Sequence, residues 1–220
     1  MVEVAGRPFL DFILEALEQA GLQKAVLVVG YQAEVIRSYY ENGRNGRTSL
    51  EISYAHQSEP NGTGGALLAA AGQVSRSFLL TFGDILLWPT SLYQQVIRAW
   101  RLNPTLDGVL TANRTEDSSA GAAVVLDGQG SVTDLIEKPA AHQQTGLNQA
   151  GCFVFTSEIL AHLETLPRSP RGELELTEAA RRYIGGGKNV QAMVIEKNNW
   201  LDIGSPESLV MAQNKLEGTL

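Results

Sequence analysis

Residues Pro8–Tyr40 read PFLDFILEALEQAGLQKAVLVVGYQAEVIRSYY, and their pattern sets the class of the fold. Apolar side chains fall at Phe9, Phe12, Ile13, Ala16, Leu17 and Ala20, the i, i+3, i+4 spacing of one helix face. Pro8 suits a first helical position, and Gly21 stands where a helix-ending glycine belongs. Lys24–Val29 (KAVLVV) is a short continuous apolar run, as expected of a strand buried on both faces. Val35, Ile36, Tyr39 and Tyr40 mark a second amphipathic helix. The polar, glycine-rich stretch Asn42–Arg47 reads as a loop.

The alternation continues downstream. Strands are expected at Leu50–Ala55, Phe78–Phe82, Gly108–Ala112, Cys152–Phe155 and Val190–Ile195. Helices are expected at Gly64–Val74, Ser91–Arg101, Thr156–Leu163, Leu176–Ile184 and Pro206–Leu216. Ala122–Leu126 and Val132–Glu137 flank the turn Asp127–Gly130 (DGQG), which is a hairpin signature. Strands alternating with helices imply βαβ units and a mainly parallel sheet, and the hairpin adds an antiparallel part. No repeat, low-complexity tract or linker divides the chain, so residues 1–220 read as a single α/β domain.

Composition narrows the partners. The chain has 220 residues, 44% hydrophobic and 19% charged, with a formal net charge of −7. An acidic chain lacks the basic footprint of a nucleic-acid binder. No apolar run approaches the roughly 18 residues of a membrane helix, and the N-terminus lacks the basic and apolar regions of a signal peptide. A cytoplasmic location is therefore expected. The one cysteine, Cys152, excludes an internal disulfide framework and reads as a packed side chain. His56, His142 and His162 lack metal-ligand spacing. Gly185–Lys188 (GGGK) follows a helix, with Asn189 where a phosphate loop needs Ser or Thr, and reads as a turn. No G-x-G-x-x-G follows a strand.

In an open α/β sheet, ligands bind beyond the carboxyl ends of the strands. Four segments lie there. Gln57–Ala66 (QSEPNGTGGA) lets backbone approach a ligand, with Thr63 as a helix cap; its glycines equally suit a tight turn. Asp84, after the strand FLLTF, suits a divalent cation or a turn cap. Glu137-Lys138-Pro139 closes the hairpin: Glu137 suits sugar hydroxyls and Lys138 a phosphate, or the two form a solvated ion pair. Ser205-Pro206-Glu207 is a helix start, which leaves Asp202, three residues before the cap, without a structural explanation.

Taken in order, QSEPNGTGGA, Gly83-Asp84, Glu137-Lys138-Pro139, SPRGELELTEA and WLDIGSPES resemble the sugar-1-phosphate nucleotidylyltransferases, from about Val4 to Gln213. The resemblance implies a Rossmann-like three-layer sandwich of the nucleotide-diphospho-sugar transferase type. It implies transfer of a nucleotidyl group from a nucleoside triphosphate to a sugar-1-phosphate, with pyrophosphate leaving and Mg²⁺ as cofactor. It places Asp84 and Asp202 on the metal, Gln57 and Gly62 at the nucleobase, and Glu137 at sugar hydroxyls. Lys138 and Arg171 fall on phosphates as catalytic groups, and Gly151 against the sugar. Gln149 stands where relatives usually show Asn.

The family opens with a strand and a triphosphate-cradling loop, GGxGTR…PKP, which does not occur in this sequence. The expectation is an N-terminally truncated domain whose central sheet strand is absent, with two neighbours left unpaired and packing loosened. A non-catalytic nucleotide- or sugar-phosphate-binding module on the same fold is the alternative reading. A glycosyltransferase is disfavoured, because Gly83-Asp84-Ile85-Leu86 contains no D-x-D. Base, sugar and oligomeric state, a homo-oligomer included, are left open.

Overall fold

The computed structural model describes residues 1–41, 48–117, 119 and 121–218; the expected loop Asn42–Arg47 lies outside the described residues. The chain opens with a short antiparallel pair, β1 (Glu3–Val4) and β2 (Arg7–Pro8). Helix α1 (Phe9–Gln19) follows, and Pro8 is its N-cap residue, not its first helical one, because its ψ of 135° is extended. Then come β3 (Lys24–Val29), α2 (Ala33–Glu41), β4 (Glu51–His56), α3 (Thr63–Ala69), β5 (Ser77–Thr81), β6 (Ile85–Leu87) and α4 (Ser91–Leu102). Helix α3 stops well short of the expected Val74.

The second half begins with β7 (Gly108–Arg114) and the hairpin β8 (Ala122–Leu126) and β9 (Val132–Glu137). The hairpin turn is held by the Asp127 carboxylate, which accepts from the amides of Gln129 at 2.8 Å and Ser131 at 2.9 Å. Next are β10 (Leu147–Thr156), α5 (Ile159–Glu164), α6 (Leu176–Gly185), β11 (Val190–Ile195), β12 (Trp200–Asp202) and α7 (Pro206–Glu217). Helix α7 starts as expected, with Pro206 in its first turn and the Ser205 hydroxyl accepting from the Ser208 amide at 3.1 Å.

The main sheet has the order β11–β7–β10–β8–β9, with β5 also paired to β10. β11 and β7 are parallel, as are β3 and β4. β10 runs against β5, β7 and β8, which makes β5 parallel to β7. The α/β class and the hairpin are as expected. The pairing is mixed, because the reversed β10 sits between strands that share one direction.

Side chains alternate across the strands and divide the core in two. Val109, Cys152 and Val154 join a cluster with α1, α4 and α7. Leu110, Phe153 and Phe155 point the other way, onto α3, α5 and α6. That is a helix–sheet–helix sandwich. Each fully buried side chain of this kind contributes roughly 1.5–3 kcal/mol, so these layers hold the main sheet together. Cys152 is fully buried, and desolvation pushes its thiol far above the ordinary range. Lys188 pairs with Asp107 and Glu158 at 3.3 and 2.5 Å, so the GGGK segment is a pinned turn.

Among the described residues β3 pairs only with β4, and β5 only with β10. Ala25 and Leu27 of β3 and Leu79 of β5 nevertheless pack on the same apolar cluster. The two strands thus flank one core without joining in one ladder. Their side chains are incompletely covered, with Val28 37% exposed.

Candidate active site

The strands end at a cleft of about 530 Å³ whose lining includes Gln57, Gly62, Phe82, Glu137, Gln149 and Arg171. These come from six separate places: the end of β4, the N-cap of α3, the end of β5, the end of β9, the start of β10 and the segment before α6. Four residues expected to act together, Gln57, Gly62, Glu137 and Arg171, are therefore brought to one cavity.

The Gln57–Gly62 loop is shaped by its own contacts. Gln57 Nε2 donates to Asn61 Oδ1 at 2.8 Å and to the Gly62 carbonyl at 3.0 Å. Its donor end is occupied by the loop, and Oε1 is the end left for a ligand. Gly62 caps α3 with φ 97°, and a Cβ there would lie 2.7 Å from the Leu174 carbonyl oxygen. The turn reading of this loop therefore holds for Gly62, whose backbone and packing both require glycine. Thr63 does not cap its own helix: its hydroxyl accepts from the Leu176 amide at 3.2 Å, at the start of α6. Gly62→Ala combines a left-handed backbone with a clash against main chain. A loss of roughly 2–4 kcal/mol is expected, measured as a lower denaturant midpoint at unchanged slope. An unchanged midpoint would show that the loop is not packed against 173–174 in solution.

Arg171 lies among three carboxylates, Glu175 at 2.7 Å, Glu173 at 3.4 Å and Glu137 at 3.7 Å. The hydrogen bond to Glu175 and that residue's charge, followed by Glu173 and Glu137, hold the guanidinium above its ordinary range. The lining thus carries three carboxylates against one cation among the described residues. Sequence reasoning missed Glu173 and Glu175 as members of the site. They sit inside the quoted segment SPRGELELTEA, and their alternation around Leu174 was the available signal.

Lys138 is not brought into the lining. It is exposed, adopts φ 44°, and donates its amide to the Gly121 carbonyl at 2.8 Å. Its left-handed backbone turns the chain out of β9, so Glu137 and Lys138 face different surroundings despite adjacency.

The two expected metal residues meet beside the cleft. Asp202 of β12 is one position off Asp84 in the antiparallel pair with β6, opposite Ile85, and the Ile203 amide donates to the Asp84 carbonyl at 3.1 Å. Partial removal from water raises the Asp84 carboxyl above the ordinary aspartate range, and the Asp202 charge adds to the rise. Asp202 Oδ1 accepts from the Gly204 amide at 2.9 Å. Two carboxylates on paired segments, near enough for the Asp202 charge to act on Asp84, suit a hard divalent cation that takes its remaining ligands from water or phosphate oxygen. Gly151 packs beneath, where an added Cβ would lie 2.7 Å from Ile85 Cδ1 and 3.0 Å from the Phe82 ring.

The family model described as Nucleotidyl transferase matches residues 1–219. The UTP–glucose-1-phosphate uridylyltransferase AglF of Haloferax volcanii is 32% identical over 99% of this chain and 87% of its own length. The glucose-1-phosphate thymidylyltransferase of Streptomyces antibioticus is 32% identical over 93% of this chain and 56% of its own length. The bifunctional protein GlmU of Methanococcus aeolicus is 30% identical, and the chain spans 48% of it. The crystal structure of a UDP-glucose pyrophosphorylase bound to UDP-glucose superposes with a TM-score of 0.87 at 20% identity, covering 100% of this chain and 90% of that one. At that identity the likeness shows the shared fold. The whole-chain family match and these relatives establish that the chain belongs to the nucleotidyl transferase family of enzymes.

Proposed function

We propose that the cleft binds a nucleoside triphosphate and a sugar-1-phosphate and transfers the nucleotidyl group between them, with pyrophosphate released. The observation that supports this most is convergence: Gln57, Gly62, Glu137 and Arg171 share one cavity, and the Asp84–Asp202 pair adjoins it. In this reading Gln57 Oε1 accepts from a nucleobase edge, beside the backbone of Gly62. Glu137 accepts from sugar hydroxyls. Arg171 exchanges one of its carboxylate partners for the sugar phosphate, a planar fork suited to that anion.

Two anions must approach one another in a site that is itself acidic. Asp84 and Asp202 would hold Mg²⁺, whose charge offsets that repulsion and stabilises the displacement at phosphorus when it is bound. The protein's share is to fix the two reactants in line, which is the main catalytic demand of phosphoryl chemistry.

One observation favours a second reading. Arg171, the one cationic side chain in the lining among the described residues, is held by three carboxylates. The sequence contains no GGxGTR…PKP loop. A module that binds nucleotide and sugar phosphate without turnover would look the same.

Pyrophosphate release separates the two. The purified chain is incubated with glucose-1-phosphate and each of UTP, dTTP, GTP and ATP, with and without Mg²⁺. Mg²⁺-dependent release with one nucleotide is the expected result. Saturable binding of both ligands without release would establish the binding module. In the same assay format, Arg171→Gln should raise the dissociation constant for the sugar phosphate about tenfold, the cost of losing one charged hydrogen bond. It should change nucleotide affinity little.

A further inference from the structure

β10 carries a bulge beside the cleft. Gln149 lies opposite Ala112 of β7 and Phe153 opposite Leu110, so four steps on β10 match two on β7. Such bulges leave backbone groups outside the ladder and re-aim the chain. Here the freed donor is the Gly151 amide, and Gln149 Oε1 accepts from it at 2.8 Å. A backbone N–H can only meet the oxygen of a carboxamide, so this bond fixes which way the Gln149 amide points. The other end of the bulge is tied inside the core, where Thr111 Oγ1 donates to the Cys152 carbonyl at 3.0 Å.

The bulge bears on the acid pair. The Phe82 amide donates to the Gly151 carbonyl at 3.0 Å. Gly151, at φ 72°, lies directly against Phe82 and Ile85. Gly83 and Asp84 form the turn between those two residues, and Ile85 pairs with Asp202. One chain of contacts thus runs from Gln149 through Gly151 to the loop that presents Asp84.

We propose that Gln149 is a positioning residue: by holding the Gly151 amide it fixes the bulge against the Asp84 turn and so sets the geometry of the Asp84–Asp202 pair. The inference rests on reading that pair as a cation site. It makes one side chain in the sugar-side cavity a determinant of cation affinity, through hydrogen-bond acceptance alone.

Gln149→Glu keeps an acceptor at the same reach, whereas Gln149→Met keeps the length and removes it. Two readouts apply to the whole chain: Mn²⁺ binding followed by electron paramagnetic resonance, and amide exchange at Gly151 and Phe82. Gln149→Met should raise the Mn²⁺ dissociation constant about tenfold or more, as loss of outer-shell support does, and deprotect both amides. Val109 and Phe155, away from the bulge, should stay protected. Gln149→Glu should bind Mn²⁺ within about threefold of the parent, or tighter, with both amides protected. A Met variant that matches the parent in both readouts overturns the proposal. A Glu variant as damaged as the Met variant overturns it too, even if the Met variant does not fold. If the parent itself binds no Mn²⁺, the reading of the acid pair fails, and exchange at Phe82 alone decides whether Gln149 holds the turn.

Discussion

Asp84→Asn will raise the melting temperature of the metal-free chain at neutral pH and remove its response to divalent cations. The two effects have one cause. Asp84 loses water and lies within reach of the Asp202 charge, so its carboxyl is raised above the ordinary aspartate range in the folded chain. An acid whose folded pKa is raised binds its proton more tightly when folded. Stability therefore falls as pH rises from the ordinary aspartate value through the raised one, and that loss persists at neutrality. Asparagine carries no charge to desolvate, so the variant melts at a higher temperature than the parent at pH 7. The gain should vanish in acid, where the parent's carboxyl is already protonated. With Mg²⁺ or Mn²⁺ the order reverses. A cation at 100 times its dissociation constant would stabilise the parent by about 2.7 kcal/mol, and the variant would gain almost nothing. Nucleotidyl transfer, if present, should fall roughly 10²–10³-fold, the scale seen when a preorganised charge stabiliser is removed. Differential scanning at pH 7 and near pH 3, with and without Mn²⁺, reads the stability effects. A variant that melts below the parent without metal, or that keeps the cation response, contradicts the assignment.

The second large effect concerns the sheet. β3 and β5 each have one partner among the described residues and share a core cluster without pairing to each other. A strand edge presents unpaired N–H and C=O groups, which are costly when water is kept from them. Amides of β3 and β5 that do not bond to β4 or β10 should exchange at least 10²-fold faster than those of the β7–β10 ladder. The melt should be broad, with a calorimetric enthalpy below the usual value of about 0.7 kcal/mol per residue. The β7–β10–β11 region and its helices should be the last part to open. A single sharp transition, with calorimetric and van't Hoff enthalpies equal and uniform protection across β3 and β5, would refute this account of the sheet.

The elements most legible in the sequence were those whose pattern is local. The apolar face of α1, the β3 run and the DGQG hairpin each carry their own signal within a few residues. β10 was read too short because only Cys152–Phe155 forms a continuous apolar run, while Gln149-Ala150-Gly151 lies in the bulge. Its reversed direction has no sequence signature either, because a buried apolar run reads the same in either orientation. The short strands β6 and β12 exist because they pair with each other across more than a hundred residues. At the site, ordered motifs brought Gln57, Gly62, Glu137 and Arg171 to attention, and the fold gathers them. Lys138 was read with Glu137 and Pro139 as one motif, and its left-handed backbone leaves it outside the lining. Glu173 and Glu175 were passed over because acidic residues before a helix ordinarily read as solvated.

In the proposed function one site holds both halves of a nucleotide-sugar, with the Asp84–Asp202 pair at the join. Titration calorimetry of the purified chain with UDP-glucose, dTDP-glucose and GDP-mannose in Mg²⁺ tests it without requiring turnover. Saturable one-to-one binding of at least one of them is expected, weakened at least tenfold when Mg²⁺ is chelated and by Arg171→Gln. Absence of saturable binding by all three, or binding indifferent to both Mg²⁺ and Arg171, would contradict it.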